Sequence, residues 1–164
     1  MSGDLKFDTN AMKLIQVDLH NEVHRKAVIS LLNDYMLDEM GIGEPMPVQL
    51  GPRIIEGLKK HKAYIGFLVE LGDELVALAN CNLNFSTWRA EPLINIHDFI
   101  VSPGFRKQGV GLFLLKAIED YAQKNGFCRI NLEVRHDNYK AQQLYKKAGF
   151  KECDPNNYFW ENRF

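Results

Sequence analysis

Cysteine is scarce here: Cys81, Cys128 and Cys153 are the only three in 164 residues, and they are widely spaced. An odd, scattered set supports neither a disulfide framework nor a zinc site. No metal is therefore expected, and a reducing cytoplasm is the expected compartment. Long apolar runs are missing as well; none approaches the ~20 residues that cross a bilayer. The start, Met-Ser-Gly-Asp-Leu-Lys-Phe-Asp, lacks the apolar core of a secretory signal. Charge of one sign is not in excess, since 20 Lys and Arg stand against 21 Asp and Glu. That balance gives no bulk attraction to nucleic acid or to an anionic membrane. With no repeat or low-complexity tract and 46% hydrophobic residues, residues 1–164 read as one globular domain.

What the chain does have is the run Asp98-Phe99-Ile100-Val101-Ser102-Pro103-Gly104-Phe105-Arg106-Lys107-Gln108-Gly109-Val110-Gly111. A β-branched strand ends at a Ser-Pro-Gly turn, and a glycine-bearing loop then opens an amphipathic helix. Glycines let a backbone come close to a ligand, and the free first-turn N–H groups and the helix dipole favour an anion. The stretch is expected to cradle a phosphorylated ligand. It is not a P-loop, because no Lys-Ser/Thr pair follows Gly111. Nor is it a dinucleotide fingerprint, because the third glycine counted from Gly109 is replaced by Leu114.

Arg106-x-x-Gly109-x-Gly111 instead resembles the Arg/Gln-x-x-Gly-x-Gly/Ala signature of the GNAT family of N-acetyltransferases. Downstream, Leu132-Glu133-Val134 followed by Asn138, Ala141, Leu144-Tyr145 and Gly149-Phe150 resembles a second signature of the same family. The resemblance covers residues 94–150. It implies acetyl-CoA as donor, with the pyrophosphate held by Arg106, Lys107, Gln108, Gly109, Val110 and Gly111. It also implies that Phe99, Ile100 and Val101 hold the pantetheine arm and that Asn138 contacts the coenzyme.

Along the chain, residues 12–17 read as a strand and Asn21 as the cap of a helix running to Met40. His20-Asn21-Glu22-Val23-His24 lacks the Glu that a zincin needs directly after its first His, so it is assigned no metal. A glycine- and proline-rich break leads to a shorter helix over 48–60. In the resembled family these two helices wall the acceptor site, and here the wall carries Asp34, Asp38, Glu39 and Glu44. They read either as a solvated helix end or as a surface for a cationic acceptor. Strands over 64–71 and 74–85 meet at Gly72-Asp73, a hairpin signal. A strand over 93–101, a helix over 109–125, a strand over 128–134 and a helix opened by Asn138 follow. Residues 150–153 and 158–163 read as two closing strands about Asp154-Pro155-Asn156-Asn157. The order gives a mixed α/β layer fold. The resemblance implies a twisted, mostly antiparallel sheet of about seven strands with four helices, its fourth and fifth strands splayed.

Acyl transfer to an amine needs a base for the ammonium, a donor for the oxyanion and a proton for the leaving thiolate. By pattern Tyr145 is a core tyrosine on an apolar stripe; the resemblance implies that it is the acid for the coenzyme sulfur. Asn138 reads as a helix N-cap and, by resemblance, as a coenzyme contact. Glu133 reads as a strand carboxylate and resembles the glutamate proposed as base in ribosomal-protein N-terminal acetyltransferases. Asp98-Phe99-Ile100-Val101 resembles the polyamine branch, but His97 stands where that branch has its first acid. His97 could itself serve as base at neutral pH, so Glu133, His97, Asp98 and water all remain candidates. A cysteine could carry an acyl group, although Cys128 alternates with Ile130 and Leu132 as a buried hydrophobe would.

The expected activity is therefore acetyl-CoA-dependent transfer of an acetyl group to a primary amine by direct attack in a ternary complex. The acceptor, a small molecule or a protein amine, is not named by the sequence. The alternatives are a non-catalytic acyl-CoA-binding or sensor domain and a nucleotide-binding domain using the same loop. The tail Tyr158-Phe159-Trp160 reads either as core or as the surface of a homodimer.

Overall fold

The computed structural model describes residues 11–164. The N-terminal stretch read above for a signal sequence lies outside them. Two compact units follow one another, up to Glu133 and from Val134 onward.

The first unit is built on a sheet of five strands in chain order: β1 (Met12–Gln16), β2 (Tyr64–Leu71), β3 (Glu74–Ser86), β4 (Glu91–Val101) and β5 (Ile130–Leu132). All neighbours are antiparallel except β4 and β5, which run parallel. Gly72, at φ +63°, turns the β2–β3 hairpin as its Gly-Asp pair predicts. Three helices belong to this unit: α1 (Glu22–Leu37), α2 (Leu50–Lys60) and α3 (Val110–Lys124). Asn21 caps α1, its side chain accepting from the amides of Val23 and His24.

Residues directly opposite in an antiparallel pair share a face, so the register sorts the strands by what covers them. Leu68, Leu78 and Ile100 pack with Val28, Leu31 and Leu32 of α1 and Ile55 of α2. The other face carries Phe67 and Ala79, and Phe67 meets Tyr121 of α3 edge to face at 5.0 Å. Leu114, Leu115 and Ile118 of α3 are fully buried. Full burial of one such side chain stabilises by roughly 1.5–3 kcal/mol.

The second unit contains α4 (Tyr139–Ala148). Asn138 caps its start and Gly149, at φ +102°, ends it in the left-handed region. The two closing strands expected at 150–153 and 158–163 are not present, so the sheet has five strands and not about seven. Strand propensity reports how well a side chain fits a pleated, half-buried surface. Here Tyr158, Phe159 and Trp160 are exposed, as is Cys153. Without such a surface, aromatic and β-favouring composition does not make a strand. The same exposure rules out core for the aromatic tail.

Candidate active site

The loop expected to hold an anion is shaped by two left-handed residues. Lys107 sits at φ +61° and Gly109 at φ +87°, the second as the N-cap of α3 with no side chain capping the helix. The first-turn N–H groups of α3 are therefore left for a ligand rather than for a cap. Val110, almost wholly buried, anchors the helix start. Gln108 braces the turn by donating through Nε2 to the Gly104 carbonyl at 2.9 Å. Its other amide atom, Oε1, is buried without a protein partner, a polar group that a bound ligand or water would complete. An uncapped helix start behind a left-handed glycine fits a pyrophosphate such as that of acetyl-CoA.

Arg106 behaves differently from its neighbours. Its Nε donates to the Val101 carbonyl at 3.0 Å and Nη1 to Asp38 Oδ2 at 2.7 Å. The guanidinium thus ties the end of β4 to the C-cap of α1. Lys107 is exposed beside it.

Parallel pairing of β4 with β5 ends at Ile96 and Leu132, while β4 runs on to Val101. Phe99, Ile100 and Val101 remain paired to β3 on one side, opposite Ala79, Leu78 and Ala77. On the other side β5 has already ended. Pairing of the fourth and fifth strands therefore stops where the resemblance implies a splay.

The register also breaks inside β4. Ile96 faces Cys81 and Asp98 faces Asn80, so His97 is an extra residue, a β-bulge. In regular pairing position 97 would have stood opposite Asn80. The bulge exposes His97 and moves Asp98 onto the face covered by α1 and α2. There Asn80 Nδ2 donates to Asp98 Oδ2 at 3.0 Å, and the Tyr64 hydroxyl donates to Asn80 Oδ1 at 3.0 Å. An ionised carboxylate can only accept, so it orients the Asn80 amide and leaves the carbonyl end for Tyr64. Burial, with smaller effects of Cys81 and Asp98, pushes the Tyr64 hydroxyl above its ordinary range, which keeps it a donor. Gly66 makes room for the ring, since a Cβ there would collide with the Tyr64 hydroxyl and Val17.

Above this row lies a cavity of about 480 Å³. Leu32, Tyr35 and Met36 of α1, Ile54 and Leu58 of α2, and Met40 and Ile42 of the connection wall it, with Asn80 and Asp98 at the sheet. Asp34, Asp38, Glu39 and Glu44, which the sequence leaves as either a solvated helix end or a surface for a cationic acceptor, are not among the residues that form the cavity. Asp38 is taken by Arg106 and by the Met40 amide.

The remaining candidates divide between the two units. Glu133 lies exposed just past β5. In the second unit Asn138 performs the capping role, accepting from Ala141 N at 3.1 Å. Tyr145 is half-buried, with its ring 6.0 Å from that of Phe150. Arg135 grips Asp137 and holds its carboxyl below the usual carboxylate range. Cys81 is buried and its thiol is pushed up to about 12, mainly by burial and further by Asp98. Such a thiol is a poor acyl acceptor at neutral pH. Among the described residues no cluster of His, Cys, Asp and Glu could hold a metal ion, and the Nδ1 of His24 accepts from the Asp18 amide.

Tyr64 and Asn80 were not anticipated. Asn80 had a visible signal: it is the first polar residue after Leu75-Val76-Ala77-Leu78-Ala79 on a buried strand, and a buried polar residue requires a partner. Which partner was settled only by the bulge.

Comparison with known proteins agrees with this geometry. The profile of the acetyltransferase (GNAT) family matches residues 27–150. An uncharacterized N-acetyltransferase of Bacillus subtilis, YhfO, is 32% identical over 95 residues, 58% of this chain and 63% of that protein. The streptothricin acetyltransferase of Streptomyces lavendulae is 32% identical over 71 residues, 43% of this chain and 36% of that protein. The matched stretch thus spans less than two thirds of either relative's length. Among solved structures, a probable acetyltransferase superposes with a TM-score of 0.79 at 21% identity, covering 93% of this chain and 99% of that one. An aminoglycoside acetyltransferase from an uncultured soil sample, in complex with sisomicin, gives 0.76 at 15% identity over 94% and 98%. These likenesses show that the mixed α/β fold with its mostly antiparallel sheet is that of the GNAT structures. With a profile match over most of its length, the chain belongs to the acetyltransferase (GNAT) family.

Proposed function

We propose that this chain works as one acetyl-CoA-dependent N-acetyltransferase domain, passing an acetyl group to a primary amine by direct attack in a ternary complex. The observation that carries the reading is the uncapped start of α3 behind left-handed Gly109. It follows a strand whose outer edge is released where β5 stops. Free cysteines support a reducing, cytoplasmic setting, and no helix among the described residues is long and apolar enough to cross a membrane.

Acetyl-CoA supplies an activated acetyl thioester when bound. In this reading residues 106–111 and Asn138 hold its phosphate end, and the backbone of Phe99, Ile100 and Val101 holds the arm and polarises the carbonyl. Asp98, His97 or Glu133 accepts the proton that the ammonium gives up, directly or through water. As the C–N bond formed and the C–S bond broke, the Tyr145 hydroxyl would protonate the leaving sulfur and its phenolate would take up the second proton that the nitrogen sheds in becoming an amide. Direct attack is favoured over an acyl-cysteine at Cys81, whose thiol burial keeps protonated.

Thermal melts test the donor without a guess about the acceptor. Ligand at about 100 times its dissociation constant adds ~2.7 kcal/mol, roughly 2–4 °C per kcal/mol for a chain of this size. A rise with acetyl-CoA and none with ATP or NAD is expected. No rise with acetyl-CoA sinks the reading.

A further inference from the structure

We propose that the acceptor is a lipophilic primary monoamine, its single ammonium bound by Asp98 and its apolar body packed against α1 and α2. This rests on the N-acetyltransferase reading for its chemistry, but the binding argument stands on the cavity alone. Among the described residues that line it, Asp98 is the one charged side chain. Asn80 holds Oδ2 from the sheet side, and no other described group donates to this carboxylate. A half-buried carboxylate among apolar walls is completed by a cation that can donate to it.

The walls decide what the cation is attached to. Met36, Met40, Ile54 and Leu58 are apolar, and the polar side chains beside Asp98, Tyr35 and Asn80, bring no negative charge for a second ammonium. The acids that could have met further positive charges lie outside the lining, and Asp38 is neutralised by Arg106. A polyamine or an aminoglycoside would set further cations against these walls with no counter-charge, which is costly. Thioether and branched aliphatic walls instead suit an aryl or alkyl group. The volume of about 480 Å³ lies within the range of small-molecule sites, roughly 300–1,000 Å³.

Tyr64 and Asn80 act here as positioning residues. The Tyr64 hydroxyl fixes the Asn80 amide, and Asn80 fixes the carboxylate. Tyr64→Phe is expected to raise KM for the amine while leaving the response to acetyl-CoA intact.

The test has two independent arms. In the first, 2-phenylethylamine, hexylamine, spermidine, sisomicin and 2-phenylethanol are each added to the protein without acetyl-CoA, and melting is followed. The two monoamines should raise the melting temperature, the alcohol should not, and Asp98→Asn should abolish the rise. In the second, thiol release from acetyl-CoA is measured with the same amines. The monoamines should exceed spermidine and sisomicin at least tenfold in kcat/KM, and Leu58→Glu should move the preference toward spermidine. Binding or turnover that favours spermidine or sisomicin overturns the proposal, as does absence of any monoamine shift. A protein that binds the monoamines but shows no shift with acetyl-CoA would refute the transferase reading and leave the amine site standing.

Discussion

Arg106 and Asp38, 68 positions apart in sequence, meet at 2.7 Å and join the anion loop to the end of α1. Loop and α1 are thereby fastened at one point, since the same guanidinium also holds the Val101 carbonyl. The arginine side chain is 42% exposed and the aspartate 19%, so solvent screens the pair, and exposed pairs are worth ~0–1 kcal/mol. A double-mutant cycle of Arg106→Ala and Asp38→Ala in urea should give a coupling energy of about 0.5–1 kcal/mol. Coupling that does not shrink in 1 M salt would show that screening has been overstated.

Gly109 sits at φ +87°, and a Cβ there would meet nothing within 4 Å. Gly109→Ala should therefore cost backbone strain alone, roughly 1–2 kcal/mol, with Gly109→Asn milder because asparagine tolerates the left-handed region. The melting shift caused by acetyl-CoA should fall in the same order. Equal stability for glycine and alanine would mean the turn is relaxed.

Alkaline stability should depend on Cys81 and Tyr64. Unfolded, these groups ionise near their ordinary values of 9.0 and 10.0, while burial raises both in the folded protein. Below pH ~9 their contribution is complete. Above it the unfolded chain holds fewer protons than the native one, so stability falls as pH rises. Cys81, at about 12 when folded, should contribute a slope of up to ~1.4 kcal/mol per pH unit. Cys81→Ala should lose some stability at neutral pH through packing but show a flatter decline between pH 9 and 10. Parallel profiles for the two proteins would count against this assignment.

Tyr145→Phe removes the proposed acid while preserving the ring beside Phe150. The expected loss in kcat is ~10²–10⁴-fold, the usual range for general acid catalysis. The melting shift with acetyl-CoA should be unchanged. Full turnover with an identified amine would remove Tyr145 from the mechanism.

Much of this was legible before the structure. The Gly72-Asp73 hairpin, the Asn21 and Asn138 caps and the Gly149 stop are local signals, each written in a few adjacent residues. The glycine loop before α3 belongs to the same class. What could not be read was set by distant partners. Residues 150–153 and 158–163 have the composition of strands and no ladder to join. Asp38 resembled a solvated acid until Arg106 was found against it. Asn80 and Asp98 became neighbours only through pairing, with an irregularity that neither strand announces alone.

That irregularity has a consequence for how such a site can change. A strand assigns odd and even positions to opposite faces, so one inserted residue acts like a frameshift in the middle of a message. Up to Ile96 the apolar positions of β4 are spelled in one frame; from Asp98 onward the other frame applies. Deleting His97 would close the bulge and leave Asp98 opposite Asn80, whereas regular pairing with His97 still in place would set His97 opposite Asn80 and turn Asp98 to the other face. The residue presented beside Asn80 is thus set by where the irregularity falls in β4, and a change in its position would exchange carboxylate for imidazole with no side chain altered.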